Sequence, residues 1–100
     1  MAKIRAVVKL PNRNPVVMLI DKTPVALAKQ VGGLTKIISF GDDTIAIVNE
    51  KADRLQIEKN TRYLGKQIYG PVVFVGKIDE KIDSLNEEMA EQIRRMIKET

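Results

Sequence analysis

A chain of 100 residues with 44% hydrophobic and 30% charged side chains can bury one modest core, so the reading is a single globular α+β domain over residues 1–100 rather than a disordered segment. Cysteine and histidine are both missing, which excludes disulfides, thiolate metal sites, cysteine nucleophiles, the usual zinc ligand and the usual proton shuttle near neutral pH. The net charge of +4 is uneven: residues 1–70 hold twelve basic and six acidic side chains, residues 71–100 five and seven.

In chain order, Ile4, Ala6, Val8 and Leu10 alternate with Lys3, Arg5, Val7 and Lys9, which predicts a strand with one wet, basic side. Pro11 to Pro15 is a loop and Val16 to Ile20 a second strand, giving a first hairpin. Thr23-Pro24 opens a short helix over 24–31, the threonine placed to cap and the proline suited to the first helical position. Gly32-Gly33 stops it; neither GxGxxG nor GxxxxGK[ST] is present, so the pair is read as a helix exit and not a phosphate cradle.

Leu34 to Phe40, an acidic turn at 41–43 and Thr44 to Val48 predict a second hairpin. Ile45 and Ile47 face one way and Ala46 and Val48 the other, which marks a central strand with apolar residues on both faces. Residues 51–70 are polar, basic and weakly periodic, with Leu55, Ile57, Leu64 and Ile68 as apolar anchors. Arg54, Lys59, Arg62 and Lys66, with Asn60, Tyr63 and Tyr69, make this connector the best candidate ligand surface. Val72 to Val75 reads as a buried strand. Ser84-Leu-Asn-Glu87 has the form of a capping box and opens a C-terminal helix over 84–98, with Leu85, Met89, Ile93, Met96 and Ile97 at helical spacing. The expected architecture is a mostly antiparallel sheet of about five strands with the two helices packed on it.

Val31-Gly-Gly before a strand, Ile47-Val-Asn-Glu50 at the end of the next, Asn60 with Arg62, and Ile68-Tyr-Gly-Pro-Val-Val-Phe-Val-Gly76 resemble a family of small proteins of unknown function. Its members occur in phages, plasmids and other mobile elements of bacteria, mainly Gram-positive ones. The chain departs from the family pattern at Leu34 and Lys36, where an aromatic residue and a glutamate are usual. The resemblance implies a mobile-element accessory protein and a shared fold, and it implies no catalysis.

Asn49-Glu50 at a strand end could supply a general base, but no second carboxylate, acidic metal cluster or Gly-x-Ser-x-Gly elbow accompanies it. The expectation is therefore no enzyme, no cofactor and no metal. A protein-binding or regulatory module leads, with Asn49, Glu50, Asn60, Arg62 and Tyr69 as partner-binding candidates. The alternative is a nucleic-acid-binding accessory protein using the basic surface of residues 1–70. No run approaches the roughly 20 apolar residues of a membrane span, so a soluble, unprocessed cytoplasmic protein is expected. The size is compatible with a symmetric homodimer.

Overall fold

The structure is a computed structural model and describes residues 3–40, 43–79 and 81–98. Along the chain run β1 (Lys3–Lys9), β2 (Val16–Asp21), α1 (Pro24–Val31), β3 (Thr35–Ser39), β4 (Thr44–Asn49), α2 (Glu50–Leu55), β5 (Lys59–Tyr63), β6 (Lys66–Tyr69), β7 (Val72–Ile78), β8 (Lys81–Asp83) and α3 (Glu87–Lys98). The α+β expectation is met, with six strands in the main sheet. Five lie in the order β2-β1-β7-β4-β3, every pair antiparallel, and β8 pairs with the end of β7. β5 and β6 form a separate two-stranded hairpin.

The apolar patterning of the strands explains the layers. On one face Ile45 and Ile47 of β4 join Ile4, Ala6, Val8, Ile20, Val73 and Val75 beneath Leu27 and Val31 of α1. On the other, Ala46 and Val48 join Val7, Val72 and Phe74 beneath Leu85, Ala90, Ile93 and Ile97 of the α3 segment and Tyr63 and Ile68 of the β5–β6 hairpin. β4 is thus the two-faced central strand that its residues predict. Tyr63 also bridges the aromatic core, meeting the ring of Phe40 edge-on at 4.8 Å and that of Phe74 at 5.0 Å.

α1 is capped as its sequence predicts: Thr23 Oγ1 accepts from Ala26 N at 3.1 Å, and Gly32, at φ 81°, closes the last turn onto Ala28 O. The predicted turn at 41–43 falls partly outside the described residues; within them, Asp43 has φ 66°. Three expectations are corrected. First, the second half of β1 has no wet side, because Val7 is fully buried and Lys9 is only 3% exposed beneath the second layer. Second, the weakly periodic connector at 51–70 holds regular elements that its sequence did not predict, α2 followed by the β5–β6 hairpin. Leu64-Gly65 is its two-residue loop, with φ 47° and 83°, the positive values such a turn requires. A leucine at a position that favours asparagine hid that turn. Of the four apolar anchors in this stretch only Ile68 is buried; Leu55, Ile57 and Leu64 are exposed.

Third, the capping box does not form. Asn86 Oδ1 accepts from Met89 N at 2.7 Å and caps α3, while Ser84 Oγ accepts from Arg5 N at 2.8 Å. Ser84 is drawn away from the helix by strand pairing. β1 pairs with β7 only from Val72 to Phe74, and beyond that point Asp83 pairs with Gly76 on the same edge of β7. Leu85 N then donates to Arg5 O at 2.9 Å, so residues 83–85 wedge between the two strands. Gly76 permits this approach, since a Cβ there would stand 2.7 Å from Ser84 O. Gly76→Ala should therefore lower stability by about 1–3 kcal/mol through overpacking against backbone, read as a fall in urea midpoint at unchanged slope.

Candidate functional site

The residues singled out from the sequence gather around the connector between β4 and β7. Asn49 ends β4 and caps α2, its Oδ1 accepting from Ala52 N at 2.9 Å, while its Nδ2 donates to Val31 O at 3.0 Å at the exit of α1. Gly33 lies against the same amide, with room for a Cβ only at 3.1 Å from Nδ2. Glu50 N donates to Leu34 O at 2.8 Å, and Glu50 Oε1 accepts from Arg54 Nε at 3.0 Å one turn along. Lys36 Nζ pairs with Asp53 Oδ2 at 2.6 Å. An open hollow of about 330 Å³ lies here, bounded by Gly33, Leu34, Asn49, Glu50, Lys51 and Arg54. α2 itself contains no buried residue. Its place is set by hydrogen bonds and ion pairs, with Leu34 80% exposed at its start and Leu55 and Ile57 exposed at its end.

Asn60 belongs to a different, buried arrangement. Its Oδ1 accepts from Lys9 Nζ at 2.9 Å, and its Nδ2 donates to Lys9 O at 2.8 Å and Gly70 O at 2.7 Å. Lys9 Nζ also reaches Leu10 O at 3.3 Å. An ammonium held only by neutral oxygens is uncommon, and burial holds the Lys9 pKa below its ordinary value of 10.5. The sequence pattern placed Lys9 on a wet face and so missed it; an asparagine 51 positions away is no local signal.

Arg62 is exposed and forms no ion pair with a described residue, and Tyr69 is half-buried on the same hairpin. The five candidates therefore separate: Asn49 and Asn60 are latches within the fold, Glu50 is on α2, and Arg62 and Tyr69 are on β5–β6. Among the described residues no group of three or more His, Cys, Asp or Glu is arranged to hold a metal ion. No helix among them is long and apolar enough to cross a membrane.

These elements define an α+β domain in which Asn49 and Asn60 serve as chain-joining contacts. The chain belongs to the family described as Domain of unknown function (DUF3846), whose model matches residues 4–98. No curated protein and no solved structure matches it significantly.

Two outcomes follow from this geometry. Asn60→Ala leaves the Lys9 ammonium with Leu10 O alone, removes the amide donor from Lys9 O and Gly70 O, and should cost about 3 kcal/mol, whereas Arg62→Ala should stay within about 0.5 kcal/mol in the same urea titration. Lys9 also imposes a pH dependence. Its folded-state pKa lies below the unfolded value, so the unfolded chain binds more protons between the two, and stability rises as pH climbs toward 10.5. Urea midpoints followed through that alkaline range should show the rise in wild type and not in Lys9→Met.

Proposed function

We propose that this chain is a non-catalytic protein-binding or regulatory module of a bacterial mobile element, phage or plasmid, acting in the cytoplasm, and that its contact surface is α2 with its flanks. The mobile-element setting rests on the motif resemblance. The observation that carries the binding reading is that α2 is fixed without fully burying any apolar side chain. A helix that contributes nothing to the core, yet is tied by Asn49, by Leu34 O and by the Lys36–Asp53 pair, suits presentation to a partner. Exposed Leu34, Leu55 and Ile57 beside Glu50, Lys51 and Arg54 have the mixed apolar and charged character of an interface core and rim.

A nucleic-acid partner covering the whole basic surface of residues 1–70 is the weaker reading. Lys9 is buried, and Lys3, Arg5, Lys36 and Arg54 are each paired with a carboxylate. A homodimer would find open outer edges on β2 and β3, each hydrogen-bonded to one described strand.

The test is affinity capture from bacteria carrying the element, comparing wild type with the double variant Leu34→Asp/Leu55→Asp. Both positions are exposed, so circular dichroism and the urea midpoint should be unchanged. Each truncated apolar contact at an interface centre is worth about 2 kcal/mol, so the variant should lose the captured protein at least tenfold. Equal recovery by both chains would remove α2 from the contact surface.

A further inference from the structure

The β5–β6 hairpin carries a second surface, independent of α2. Its register pairs Lys59 with Tyr69, Arg62 with Gln67, Thr61 with Ile68 and Tyr63 with Lys66. A regular alternation would put Lys59 on the same side as Thr61 and Tyr63. The register shifts between Lys59 and Thr61, leaving Asn60 as the extra residue that turns inward to Lys9. One face, Thr61, Tyr63 and Ile68, is therefore buried on the sheet, while Lys59, Arg62, Gln67 and Tyr69 share the outward face.

This outward face combines one aromatic ring with two cations that are not consumed by the fold. Lys59 and Arg62 form no ion pair with a described residue, and neither does Lys66 at the loop end. Glu58, the adjacent acidic side chain, is exposed and likewise makes no ion pair among the described residues. Gln67 Nε2 is held by Thr61 O at 3.1 Å and Ile68 O at 3.2 Å, which pins the side chain that lies across from Arg62.

We propose that the outward face of the β5–β6 hairpin contacts single-stranded nucleic acid, with Tyr69 stacking on a base and Lys59 and Arg62 meeting phosphates. The cations supply charge complementarity, and Arg62 offers a planar donor fork to a phosphate. The ring selects a single strand over a duplex, because a paired base has no free face to stack upon it. At about 3.3 Å per residue, the five-residue β5 spans two or three nucleotides, so the contact is short and salt-sensitive.

Fluorescence anisotropy with labelled oligo(dT) and oligo(U), an abasic sugar-phosphate strand of the same length and a duplex tests this on the full chain. Binding of the base-bearing strands at low salt is expected, with a log–log salt slope of about −1.4 for the two phosphates met by Lys59 and Arg62. Arg62→Ala should bring the slope to about −0.7, and Arg62→Glu, at an exposed position, should abolish binding without changing the melting temperature. Tyr69→Leu should weaken the base-bearing strands at least fivefold and leave the abasic strand unchanged. The relative affinity for the two base-bearing strands names DNA or RNA as the ligand. Leu34→Asp/Leu55→Asp should bind as wild type, which separates this site from the α2 surface. Absence of binding at low salt, equal binding by Arg62→Glu, preference for the duplex, or equal losses on base-bearing and abasic strands with Tyr69→Leu would each overturn the proposal. Should Tyr69→Leu fail to fold, Arg62→Glu with the abasic and duplex arms decides it.

Discussion

Gly70 sits where four segments meet, and the chain around it can close only if that position has no side chain. Its φ is 70°, and a Cβ there would lie 2.7 Å from Ala52 Cβ, inside contact distance with α2. Its N–H donates to Glu58 O at 2.8 Å and its carbonyl accepts from Asn60 Nδ2 at 2.7 Å. A single residue thereby ties the return of the hairpin to its own start, to β1 through Asn60, and to α2 by close contact. The left-handed backbone and the missing Cβ are both required, which is a demand that glycine meets without strain.

Two asparagines extend this junction in opposite directions. Asn49 joins α1 to α2 at the edge of the domain, and Asn60 joins β5 to β1 and to the β6–β7 turn within it. A carboxamide suits both places, because it offers donor and acceptor at once without bringing charge into a buried site. The charge at the Asn60 end is that of Lys9, and its lowered pKa reflects the desolvation of an ammonium whose partners are only partial negative charges. Asn49, Asn60 and Gly70 thus read as joints between segments.

The consequence for function is spatial. Once Asn49 and Asn60 are absorbed as joints and Glu50 is paired with Arg54, the two remaining candidates, Arg62 and Tyr69, lie on the outer face of the hairpin. α2 lies outside both core layers, whereas the hairpin completes the second layer with Tyr63 and Ile68 and keeps only its outer side free. Surface chemistry on α2 and on that outer side can change at little cost to the core, since those side chains do not enter it.

The residues that signal locally were legible from the sequence. The strand alternation of 44–48, the Thr23-Pro24 helix start, the Gly32 exit and the amphipathic run of α3 each act through nearest neighbours along the chain, so their outcome was written in spacing. Whatever depended on which segment comes to lie above another was not legible. Lys9 looked wet because nothing in residues 3–10 says that a hairpin about fifty residues later will cover it, and Ser84 looked like a cap because its neighbours do not reveal β1 beside it. Of the five candidate residues, the sequence by itself placed all of them at element ends or in the connector. Tertiary packing alone decided that two are buried or capping latches and that Arg62 and Tyr69 share an open face, because burial and strand register are set by contacts distant along the chain.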